Sequence, residues 1–117
     1  MRAQAGWRGR LAAAAEADFA AISAWTTEVF GKAQSRRYQE TLVAAIEALM
    51  EGPQATPLAR PRDEIEPGLY VLHVGLGKAR ARHILLFRWI ETAREAQVLR
   101  ILHDSMDLKR HLPGDAR

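Results

Sequence analysis

The side chains best suited to chemistry lie in the second half of the chain. Arg82, Arg88 and Arg100 recur among apolar residues, Lys78 and Arg80 precede them, and His83 and His103 fall in the same segments. Arginine offers a planar fork of donors that grips a carboxylate or phosphate through two bonds at once. Such a set has two readings: solubilising side chains on the wet face of strands, or a basic concavity suited to an acidic protein segment or a phosphate backbone. The imidazoles also have two, as polar residues at a core margin or as an acid and a base near neutral pH. Arg82, Arg100 and His103 together could supply an acid, a base and a phosphate clamp. No cysteine or carboxylate stands at ligand spacing around the histidines, so no metal site is expected. Nucleophile elbows, phosphate loops and paired carboxylates are absent, and Gly75-Leu76-Gly77 opens no helix and reads as a hairpin turn. No cofactor is expected.

Three β-type runs carry these residues: 69–74, 82–90 and 96–103. The connections between them, 75–78 and 91–95, are short enough to join antiparallel neighbours, which predicts a three-stranded meander. Residues 12–30 are alanine-rich, and Ala15, Phe19, Ile22, Trp25 or Thr26, and Val29 recur at helical spacing. Glu16 and Asp18 sit where carboxylates oppose the helix dipole. Gly31 supplies the stop. A second helix is expected over 32–50, with Tyr38, Leu42, Ala45 or Ile46, and Leu49 on its apolar face, folding back as an antiparallel hairpin. Pro53, Pro57, Pro61 and Pro67 leave a loop without regular structure, which carries Arg60 and Arg62. Residues 7–11 could add an edge strand. Asp104 and Asp107 most simply cap a turn or short helix in the tail. The fold class is α+β: a helical hairpin packed on a small antiparallel sheet in the order β-α-α-β-β-β.

The whole balance is compatible with such a unit. The chain has 117 residues, too few for two cores, so residues 1–117 read as one domain with a core of about 8–112. Hydrophobic residues at 48% and charged residues at 26% describe a folded chain, and the lack of cysteine excludes disulfides and thiolate chemistry. A net charge of +3 leans toward an anionic partner. The apolar run after the basic start ends at Glu16, too short for a signal peptide, and no stretch would span a bilayer. A cytoplasmic protein without membrane contact is expected.

Five pieces of this sequence, in order, are similar to one family. They are Leu11 to Phe19, Phe30-Gly31, Pro67-Gly68-Leu69-Tyr70, Arg82-His83-Ile84-Leu85, and the closing Val98-Leu99-Arg100-Ile101-Leu102-His103-Asp104-Ser105-Met106-Asp107 with His111-Leu112. The chain resembles the ParE branch of the RelE/ParE superfamily, the toxin half of bacterial type II toxin–antitoxin pairs. The resemblance implies a protein that poisons DNA gyrase by binding and trapping it, without an active site of its own. The target-binding residues would be Arg82, His83, Arg88, Arg100, His103, Asp104, Met106, Asp107 and His111. It also implies a cognate antitoxin whose acidic C-terminal segment folds onto the toxin, placing apolar anchors in the helix-hairpin groove. Trp25, Val29, Phe30, Leu42 and Leu49 would receive them, with Arg60 and Arg62 contributing charge; otherwise the five apolar residues are simply core. Operator DNA would be met only through the antitoxin. Ribonuclease members of the superfamily cut messenger RNA on the ribosome and often use a C-terminal Tyr or His. Here the tyrosines are Tyr38 and Tyr70, and none follows His103. A ribonuclease using Arg82, Arg100 and His103 is the alternative reading, and a non-toxic antitoxin-binding relative is the third.

Overall fold

The computed structural model describes residues 6–77, 81–106 and 108–111. Lys78, Arg80 and Asp107, named above, lie outside the described residues. A short strand β1 (Arg8–Leu11) leads into helix α1 (Ala13–Phe30) and helix α2 (Lys32–Leu49). Gly31 alone separates the helices. Its φ of +94° is open to glycine and strained for other residues, and its N–H still reaches Thr27 O at 2.8 Å. The helices are tied across the turn by Ser35 Oγ, which donates to Ser23 O at 3.0 Å. Thr26, not Trp25, takes the inner position near the end of α1, and its hydroxyl is satisfied by Ile22 O at 2.7 Å.

After α2 the chain forms β2 (Arg60–Pro61), β3 (Tyr70–His73), β4 (His83–Ile90) and β5 (Glu95–His103) in one five-stranded sheet of order β1-β5-β4-β3-β2. The antiparallel meander β3-β4-β5 is present as expected. The sheet is larger and mixed, because β1 joins β5 in parallel, Arg8 opposite Glu95 and Leu11 opposite Val98. The proline-rich loop is not wholly irregular, as it was expected to be. Arg60 and Pro61 pair with Val71 and Tyr70, and Pro61 is tolerated because β2 is the sheet's outer edge.

The helical hairpin covers one face of this sheet. Ala15, Leu42, Ala45 and Leu49 meet Leu72, Val74, Leu85, Phe87, Ala96, Val98 and Ile101 in the main core. A second apolar cluster, Leu69, Ile84, Leu86, Leu99 and Leu102, packs with Ile65, Val71 and Leu108. Being packed on both faces accounts for the unbroken apolar run Ile84-Leu85-Leu86-Phe87, where a one-sided strand would alternate. Leu86 faces Arg100 while Phe87 faces Val98, so Leu99 is an extra residue and β5 bulges there. Leu42 and Leu49 are completely buried. Their burial contributes roughly 1.5–3 kcal/mol apiece. Neither can receive a partner's anchor, which corrects that expectation: their spacing marks the face the core itself consumes. No helix among the described residues is long and apolar enough to cross a membrane.

Candidate functional site: a histidine cluster beside an aromatic cleft

The C-terminal end of β5, the start of β4 and the middle of α2 converge on one group of polar side chains. Tyr38 projects from α2, and its Oη lies 2.6 Å from His83 Nδ1. The Arg82 amide approaches the same hydroxyl at 3.4 Å. An amide can only donate, so the hydroxyl accepts from it and keeps its own proton to give to Nδ1 in the His83 tautomer that is protonated on Nε2. His83 stands opposite His103 in the β4–β5 register, with ring centroids 5.6 Å apart. His103 Nδ1 accepts the Ser105 N–H at 3.2 Å and has Ser105 Oγ 2.8 Å away. The neutral form of His103 therefore carries its proton on Nε2.

Asp104 binds the outer part of this cluster together. Its amide donates to Arg82 O at 2.7 Å. Its carboxylate faces Arg82 Nη2 at 3.3 Å, His73 Nε2 at 3.5 Å and His103 Nδ1 at 3.6 Å. Partial desolvation works against the charge, but hydrogen bonds from Arg82 and His73 and the Arg82 charge prevail, holding the Asp104 carboxyl below its usual range. Burial pushes the His83 imidazole down, and neighbouring His103 adds to this. Burial also raises the Tyr38 phenol.

Beside the histidines opens a cleft of about 630 Å³ lined by Trp25, Thr26, Phe30, Gln34, Tyr38, Ala81, Arg82, His83 and His103. Trp25 and Phe30 meet edge to face at 5.8 Å, yet they are 58% and 60% exposed. Val29 is also exposed. These three residues are free of the core, unlike Leu42 and Leu49.

The other expected site residues are scattered. Arg100 does not join Arg82 and His103. Its Nε and Nη2 hold the two oxygens of Asp18 at 2.7 and 2.8 Å, and Ile101 N–H donates to the same carboxylate at 2.9 Å. β1 ends at Leu11, so β5 beyond Val98 loses its strand neighbour on that side, and Asp18 of α1 serves its backbone instead. The three-residue acid, base and phosphate clamp is therefore corrected: Arg100 is committed to a structural ion pair, which also raises its pKa. Arg88 is paired with Glu66 and donates to Pro67 O at 3.1 Å. Arg62 pairs with Glu64, while Arg60 donates to Pro57 O at 3.1 Å. Met106, partly exposed, lines a separate cleft of about 370 Å³ with Arg62, Glu64 and Asp104. His111 ends the short turn Leu108–His111. Sequence reasoning missed Tyr38, His73 and Ser105. Ser105 carried the one local signal, an i+2 hydroxyl after His103; Tyr38 and His73 meet the others only through the tertiary fold. Among the described residues no three or more His, Asp or Glu side chains are grouped so as to hold a metal ion.

Comparison with known proteins agrees with this architecture. Among solved structures, the chain is similar to one described as the chromosomal ParDE TA system from P. aeruginosa, with a TM-score of 0.66 and 23% identity, over 83% of this chain and 95% of that one. At that identity the likeness speaks for the fold. No curated protein sequence matches the chain. The model of one family, the ParE toxin of the type II toxin–antitoxin system parDE, matches residues 10–108. That match takes in both helices and the whole sheet except the first two residues of β1, and the chain belongs to the ParE toxin family.

Proposed function

We propose that the chain is a toxin that acts in the cytoplasm by binding and trapping DNA gyrase, not by catalysis, and that a cognate antitoxin neutralises it. Family membership supports the toxin role. The observation favouring binding over messenger RNA cleavage is the pairing of Arg100 with Asp18, which commits to a structural ion pair one of three groups an acid–base ribonuclease site would use. The target surface in this reading is the Arg82, His83, His103 and Asp104 cluster with Met106 beside it. The antitoxin's apolar anchors would lie against Trp25, Val29 and Phe30, where three large apolar side chains stand exposed at one end of the hairpin. Its acidic segment complements a chain of net charge +3. Operator DNA would be reached only through the antitoxin.

Induced expression in bacteria tests the proposal. Growth arrest accompanied by relaxed plasmid DNA is the expected outcome, with no new messenger RNA ends by primer extension. Arrest with normal supercoiling and fresh cleavage ends at translated codons would replace this reading with the ribonuclease one. No growth effect would leave a relative that only binds its partner.

A further inference from the structure

We propose that the cleft between Trp25 and His103 binds one nucleotide unit of a single-stranded nucleic acid, its base against Trp25 and Phe30 and its phosphate among Arg82, His83 and His103. The inference concerns direct contact with nucleic acid and does not depend on gyrase being the target.

The volume of about 630 Å³ lies in the range of small-ligand sites and accommodates a base with its sugar and phosphate. One end is apolar and aromatic: Trp25 and Phe30 expose more than half their surface although a buried core was available nearby. Every base has a flat π face, so such a pair accepts any base by stacking. The other end presents donors. The Ser105 amide donates to Nδ1 of His103, which leaves the neutral ring an Nε2–H, and His83 offers the same donor in the tautomer that accepts the Tyr38 proton at Nδ1. Among the described residues, neither Nε2 has a hydrogen-bond partner. Neutral imidazoles so fixed donate to a phosphate oxygen without first taking up a proton.

Arg82 adds the charge. Its side chain is 68% exposed and its contacts to Asp104 are 3.3 and 3.4 Å. Ion pairs so exposed are weak and yield readily to a bidentate phosphate. Gln34 Oε1 accepts from Arg37 Nη2 at 2.9 Å, which leaves the amide NH₂ as a further donor. Among the described residues no carboxylate lines this cleft, whereas Glu64 and Asp104 line the one beside Met106. The first turn of α2, with no acidic residue and no side-chain cap, borders the cleft through Gln34.

The test is a titration of the full chain with fluorescently labelled octathymidylate and octauridylate, read by anisotropy and by quenching of tryptophan emission. Deoxythymidine monophosphate and octaglutamate serve as comparison ligands. Both octanucleotides are expected to bind and to quench. Trp25→Ala is expected to weaken binding about tenfold and abolish most of the quenching. Arg82→Ala is expected to weaken it several-fold and make the salt dependence shallower by about one phosphate contact. Arg8→Ala, which removes the same charge from β1 opposite Glu95, at the other end of β5 from His103, is expected to leave affinity within about twofold. Monophosphate binding as tight as the octanucleotides, with the same losses in both variants, would still support the nucleotide site and assign it to free nucleotides. Equal losses in the two arginine variants with no loss in Trp25→Ala would overturn the proposal, since charge alone would then be read. Octaglutamate binding in place of the oligonucleotides would overturn it in favour of an acidic peptide.

Discussion

Replacing Asp18 by alanine is expected to be the most damaging single change to a polar residue in this protein. The carboxylate carries three bonds: Arg100 Nε at 2.7 Å, Arg100 Nη2 at 2.8 Å and Ile101 N–H at 2.9 Å. Its removal leaves the Ile101 amide, on a strand edge with no neighbour, without a partner, which costs about 1–3 kcal/mol. Breaking a fully buried ion pair by deleting one member costs about 3–5 kcal/mol. The Arg100 side chain is 23% exposed and can turn partly into water, so the pair lies below that range. Together the loss is about 3 kcal/mol, or roughly a 10 °C fall in Tm for a chain of this size. Asp18→Asn keeps an oxygen for the Ile101 amide and should lose about half as much. Urea unfolding with an unchanged slope measures both. A double-mutant cycle with Arg100→Met should return a coupling of at least about 1 kcal/mol. A loss below about 0.5 kcal/mol, or strictly additive effects, would refute the reasoning and return Arg100 to the set of available surface arginines.

Further expectations follow from the same contacts. Leu49→Ala should cost about 2–5 kcal/mol, whereas Trp25→Ser should cost little more than about 0.5 kcal/mol; both are read by urea unfolding, and comparable losses would contradict the division between core and open surface. Gly52→Ala should cost about 2 kcal/mol or more, because φ is +96° and a Cβ would lie 2.9 Å from Nε1 of the buried Trp7. His83 is held below the ordinary imidazole value of about 6.5. The folded chain therefore binds fewer protons than the unfolded one between those two values. Stability from this group is complete above about pH 6.5 and falls as pH drops toward the folded pKa. Tm should decline between pH 7.5 and 5.5, and the decline should shrink in His83→Gln; an undiminished decline would assign the effect to other groups.

What could be read from the sequence was whatever depends on local periodicity. Gly31 between two helical patterns marked the hairpin, and the runs ending at Ile90 and His103 marked the meander, because both signals span only a few residues. The parallel pairing of β1 with β5 joins segments more than eighty residues apart, and no local pattern encodes it. Helical spacing left Trp25 and Thr26 as alternatives for one position. The side-chain bond of Thr26 to Ile22 O satisfies its hydroxyl in the interior and leaves Trp25 outside. Asp18 looked like a dipole-balancing residue because its true partner, Arg100, is 82 positions away. The site was half legible for the same reason. Arg82, His83, His103 and Asp104 are neighbours across two paired strands, whereas Tyr38 enters from a helix face that the sequence assigned to the core.

The central claim, that the chain poisons gyrase by binding it, is tested most directly by titrating purified protein into a DNA gyrase supercoiling reaction on relaxed plasmid. The account predicts inhibition that saturates near stoichiometric protein, accumulates cleaved plasmid, and weakens in a variant carrying Arg82→Ala and His103→Ala together. Supercoiling that proceeds at the full rate under an excess of folded protein would contradict it.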